Sequence, residues 1–208
     1  GEAERLSWES MFDLLARQAE GQSLLAEAAS RPSFRPSTRS ASLLAMAGSG
    51  VKTLPADWRE AVLVGLQSRG ADPQASITLA AALRAVRSLP FPKEGDPAIT
   101  EKLRGVARDA EVPATARIEA LGVLPPASAV DAAEFELLLA AMAPGRPPGE
   151  RLAAAVALQR LKLDVRQRMA LVSRIPTVGP MELPRLLSAF TPGGDLALGQ
   201  SLVAALRE

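Results

Sequence analysis

Three arginines each open the same eight-residue pattern. Arg39-Ser-Ala-Ser-Leu-Leu-Ala-Met, Arg117-Ile-Glu-Ala-Leu-Gly-Val-Leu and Arg151-Leu-Ala-Ala-Ala-Val-Ala-Leu place a small residue three positions after the arginine and an apolar residue seven after it. A guanidinium is a planar fork of donors that matches a carboxylate or phosphate. If Arg39, Arg117 and Arg151 line one ridge, they form a partner-binding surface for an anion or an acidic peptide. The competing role is structural: each stem covers a neighbouring helix and each head pairs with an acid of the next segment. Arg84/Arg87 and Arg104/Arg108 stand at helical spacing and read as solvated faces.

Other chemistry is sparse. The chain has no His and no Cys, which excludes Ser-His-Asp and Cys-His nucleophile systems, ordinary zinc sites and histidine-ligated haem. Glu134 and Glu136 are two apart, so a helix points them in different directions, and both read as surface charge. Glu2, Glu4 and Glu9 read as solvated. The eight Asp are scattered, without the dense oxygen cluster that calcium needs. No P-loop or dinucleotide-binding glycine motif is present. The expectation is a segment with no catalytic residue, no metal and no bound cofactor.

Formal net charge is +1, from 24 basic and 23 acidic residues, so no long-range field steers nucleic acid or anionic lipid. Only four basic residues are Lys. Apolar residues make up 48% and aromatics 3%, so a core must be built from Leu, Ala, Val, Ile and Met. The apolar run Leu137 to Ala143 is far short of the ~20 residues of a membrane span. No signal peptide is visible. The chain opens on Gly1-Glu2 and closes on Leu206-Arg207-Glu208, as a piece excised from a longer protein would.

The elements that must position the arginines are helices. Trp8, Met11, Phe12 and Leu15 recur at helical spacing, as do Ile99, Leu103, Val106 and Ala110. Phe135, Leu138, Leu139 and Met142 form another such stripe, and Leu183, Leu186, Leu187 and Phe190 a fourth. Trp8 and Trp58 both lie on apolar stripes and read as core. Asp72-Pro73 and Asp96-Pro97 each offer a capping carboxylate before a proline at the first helical position. Pro55, Pro113 and Pro148 mark further starts; Gly70, Gly145 and Gly193-Gly194 mark stops. Thr191-Pro-Gly-Gly-Asp195 reads as a turn whose Asp195 caps the next helix. Pro144-Gly-Arg-Pro-Pro-Gly149 reads as a rigid connector.

Ser76-Ile-Thr-Leu-Ala-Ala-Ala-Leu fits the arginine pattern loosely. The four starts, at 39, 76, 117 and 151, are then about 37, 41 and 34 residues apart, near the period of two-helix repeats. A second helix should follow each: Trp58 to Leu66, Ile99 to Ala110, Phe135 to Met142, and Met169 to Ile175. The expected fold class is all-α, a right-handed α-α superhelix of roughly eleven or twelve helices in antiparallel pairs. Residues 1–208 are expected as a single helical-repeat domain, with capping helices over 1–35, repeat pairs over 36–178 and a last pair over 179–208.

The motif Arg-x-x-Ala-x-x-x-Leu followed by a Leu-rich second helix resembles HEAT and armadillo repeats, best at Pro113 to Leu124. That resemblance carries a fold and little function. The segments from Arg151, Arg166 and Gly179 also look like the helical part of large bacterial proteins described as membrane-bound dehydrogenases. Those combine a β-propeller, HEAT-like repeats and a C-terminal c-type haem domain. The resemblance implies a periplasmic or cell-surface protein, against a cytoplasmic one otherwise. The haem-attachment motif is absent here. The expected function is a non-catalytic scaffold or protein-protein interaction module, binding other domains of the same polypeptide or a partner protein. The alternative is a HEAT-like nucleic-acid binder with an Arg-lined concave face.

Overall fold

The computed structural model describes residues 11, 14–68, 73–191 and 196–207. Trp8, Phe12, Gly70, Asp72, Gly193, Gly194 and Asp195 lie outside these, and so do the roles expected of them. Among the described residues the chain is all-α, with eleven α-helices and one short 3-10 turn. They are α1 (Ala19–Ser30), α2 (Pro36–Gly48), α3 (Ala56–Gly65), α4 (Pro73–Ser88), α5 (Pro97–Arg108), α6 (Ala114–Gly122), α7 (Ala132–Ala141), α8 (Pro148–Arg160), α9 (Val165–Val172), the 3-10 turn Ile175–Thr177, α10 (Leu183–Ser188) and α11 (Leu196–Ala205). An isolated parallel bridge joins Ala129 and Lys162.

The helix starts follow a local rule. Proline occupies the first position of α2, α4 and α8 and immediately precedes α3 and α6, where its missing N–H costs nothing. Aspartate caps α5, α7 and α9. Asp96 accepts from the Ala98 and Ile99 amides. Asp131 with Glu134, and Asp164 with Gln167, form reciprocal capping boxes. All four starts of the eight-residue pattern, Arg39, Ser76, Arg117 and Arg151, are the fourth residue of their helices. From that position, three and seven residues on lie on one face. The residues there are Ser42, Met46, Leu79, Leu83, Ala120, Leu124, Ala154 and Leu158, and each is at most 2% exposed.

The chain divides into two compact units, residues 1–116 and 117–208, with the division inside α6. In the first, neighbouring helices α1/α2 and α3/α4 pack together, and so do α1/α3 and α2/α4, two elements apart. Leu25, Leu43, Met46, Trp58, Leu66 and Leu83 are its fully buried large side chains in the middle of this packing. Trp58 donates its indole N–H to the Gln22 carbonyl at 2.9 Å. Gly65 is a close-approach position. A Cβ there would meet Ala82 Cβ at 2.9 Å and Leu43 Cδ1 at 3.0 Å.

The second unit pairs α7 with α8, α8 with α10, and α9 with α11. Its core holds Ile118, Leu121, Leu138, Leu158, Leu171 and Leu186. Arg160 ties two loops together. Its guanidinium donates to the Gly122 carbonyl at 2.9 Å, and its own carbonyl accepts from Ala127 at 2.8 Å. Such a cation satisfies carbonyls that the end of α6 leaves open. Ala127 pays for the geometry with a left-handed φ of 60°.

Candidate functional site: the Arg39 cleft

Arg39, Arg117 and Arg151 occupy the same helical position but not the same chemical surroundings. Arg151 is spent inside the protein. Its Nε lies 3.0 Å from Glu182 Oε1, and its Nη1 donates to the Pro144 carbonyl at 3.1 Å. Glu182 directly precedes α10, and its side chain is only 4% exposed. Gly179 makes room for it, because a Cβ there would stand 2.6 Å from the Glu182 carboxylate. The guanidinium offsets the cost of burying that carboxylate. Arg117, near the start of α6, is half-buried and has a partner.

Arg39 differs. Its Nε donates to the Ala29 carbonyl in the last turn of α1 at 3.2 Å, which fixes the plane of the guanidinium. Nη1 and Nη2 meet no acceptor among the described residues. The side chain is half-buried and lines a cleft of about 370 Å³ with Pro36, Val64, Gln67, Ser68, Ala75 and Thr78. Thr78 is buried, donating to the Gln74 carbonyl at 3.0 Å and lying 3.0 Å from the Ser40 hydroxyl.

Two helices begin at this cleft, since Pro36 opens α2 and Ala75 lies in the first turn of α4. Neither first turn contains an acidic residue. No carboxylate is among the described residues lining the cleft. The helix α2 starts without a side-chain cap, so the partial positive charge of its N-terminus adds to the guanidinium. The arrangement can hold an anion. Among the described residues lining it, no nucleophile is paired with a base.

Several other polar groups pair within the fold. Arg59 forms a two-pronged pair with Asp96, with Nη2 3.0 Å from Oδ1. That pair, with the Ile99 and Ala98 amides, holds the Asp96 carboxyl below its usual range against the opposing effect of burial. Glu134 is buried, not surface charge as its sequence neighbourhood suggests; its Oε2 accepts from the Asp131 amide at 3.2 Å. The Asp-x-x-Glu and Asp-x-x-Gln spacings at 131 and 164 were the signal for this role. No comparable signal marks Glu182, which is 31 residues from Arg151. Arg84 and Arg87 are exposed on α4. Among the described residues no group of three or more Asp or Glu is placed to hold a metal ion, and no helix is long and apolar enough to cross a membrane.

Comparison with known protein families, with curated proteins and with solved structures gave no match to this chain.

Proposed function

We propose that this chain is a non-catalytic helical-repeat scaffold of the HEAT/armadillo kind, a protein-protein interaction module that binds through side chains on its helix surfaces. The observation that carries this reading is a recurring sequence interval. Side-chain hydrogen bonds between elements join Trp58 to Gln22, Arg59 to Asp96 and Ser40 to Thr78, at separations of 36, 37 and 38 residues. In the second unit Gln167 reaches the Val130 carbonyl and Arg160 the Gly122 carbonyl, at separations of 37 and 38. A chain built of two-helix repeats of about that length meets its neighbour at this interval wherever the same contact recurs.

Packing between helices two elements apart supports the same reading, because one helix pair cannot bury its apolar face alone. The module holds no cofactor of its own in this reading. Any redox chemistry of a longer polypeptide would belong to other domains. The test is photo-crosslinking of the intact chain to cellular protein, followed by titration against the purified captured protein. A saturable complex whose cross-links map to exposed helix faces is expected. Failure of every captured protein to bind saturably would overturn the reading.

A further inference from the structure

We infer that α11 carries a docking face for a second copy of this chain, and that two copies pair through it with their α11 helices antiparallel. The inference goes beyond the scaffold reading, because the partner is the chain itself. α11 packs on α9 and on the 3-10 turn, yet Leu198 is its one buried residue. Leu196, Val203 and Leu206 are 76%, 50% and 48% exposed. Gly199 is exposed too, and a Cβ added there would meet nothing within 4 Å.

These four positions form one seam. They follow each other at intervals of three, four and three residues, the a and d spacing of a heptad. Leu206 continues the last turn, since its amide donates to the Leu202 carbonyl at 3.1 Å. No residue from 196 to 206 is charged. A helix face turned to water ordinarily carries charge, and a helix apolar on nearly every side is one that is covered.

The seam is complementary to itself. Leu196 and Leu206 each stand five residues from Ser201, and Gly199 and Val203 each stand two. Antiparallel, with the two Ser201 positions level, each Leu196 lies beside the other copy's Leu206, and each Val203 beside the other copy's Gly199. The missing side chain at 199 is the hole that receives the valine. The sequence at the ends agrees in charge. Asp195 and Arg207 each stand six residues from Ser201, so the acid ahead of one helix comes level with the base behind the other. The antiparallel pair also sets the positive end of each helix dipole beside a negative end. A parallel pair would put glycine against glycine and like ends together.

Both copies use the same patch, so the contact closes as a two-fold dimer. One helix of 10 residues offers less than the roughly 800 Å² per partner of a standard interface, so the dimer forms with rising concentration and is not obligate.

The test is sedimentation of the intact chain over a concentration series. A reversible monomer–dimer equilibrium is expected. Val203→Glu, at an exposed position, should leave the helical circular dichroism unchanged and weaken the dimer about tenfold or more, because pairing would bury a charge. Ala197→Glu, exposed but off the seam, should leave the equilibrium as it is. Orientation is read by cysteine. A mixture of Gly199→Cys and Val203→Cys chains should form the mixed disulfide faster than either variant couples to itself.

A chain that stays monomeric throughout would overturn the proposal, and so would a dimer untouched by Val203→Glu. Faster coupling of 199 to 199 or of 203 to 203 would overturn the antiparallel register. A different protein captured on this face of a monomeric chain would give the seam to that protein, sinking the self-pair and leaving the scaffold reading standing. A dimer with these properties in a chain that captures no other protein would keep the seam and remove the scaffold reading.

Discussion

Ser42 lies three residues after Arg39, at the buried point of the pattern where Arg117 and Arg151 are followed by Ala120 and Ala154. Its hydroxyl is fully buried and has no hydrogen-bond partner among the described residues. A buried hydroxyl without a partner costs free energy, and alanine is also the better helix former. Ser42→Ala is expected to raise stability by about 1 kcal/mol in urea unfolding; a loss of that size would mean the hydroxyl has a partner. Asp96 carries the acid-sensitive prediction. Its folded-state carboxyl titrates below the ordinary range, chiefly through Arg59. The stability it contributes is therefore complete above the unfolded carboxylate pKa, about 4, and is lost as pH falls through the lower folded value. Asp96→Asn keeps a good cap but discards the ion pair. Its deficit against the wild type should be constant between pH 5 and 8 and shrink below pH 4. A deficit that grows on acidification would contradict this assignment.

At the scale of elements, helix existence was legible and side-chain partnership was not. Proline at helix starts and the stripe Ile99, Leu103, Val106, Ala110 are local signals; α5 begins and buries the first three as they imply, but it ends at Arg108 and leaves Ala110 exposed in the following turn. The second-helix stretch from Phe135 to Met142 coincides closely with α7. The roles of Arg39 and Arg151 were not separable from sequence, because their octads are equivalent. What separates them is a carboxylate 31 residues beyond Arg151, brought back by the packing of α8 on α10. Periodicity reports faces; it does not report which element covers a face. The Arg151–Glu182 pair has a testable cost. Arg151→Ala strands a carboxylate that is almost wholly buried and should destabilise the protein by about 3 kcal/mol. Arg151→Met combined with Glu182→Leu should recover most of that loss, since an apolar pair of similar volume removes the uncompensated charge. No recovery in the double variant would mean that the pair supplies more than charge balance.

At the scale of the whole molecule, two compact units are each held together by contacts between helices close in sequence order. An interval of about 37 residues recurs within each unit, 38 between Ser40 and Thr78 in the first and 37 between Val130 and Gln167 in the second. The complete absence of cysteine makes that interval directly measurable. Ser40→Cys should be combined in turn with Thr78→Cys, Gln74→Cys or Ala82→Cys, and disulfide formation followed under one mild oxidant. The two native hydroxyls are 3.0 Å apart, so the 40/78 pair should cross-link fastest and without loss of helicity. Faster coupling of 40 to 74 or to 82, one helical turn to either side, would contradict the interval and with it the repeat on which the scaffold reading stands.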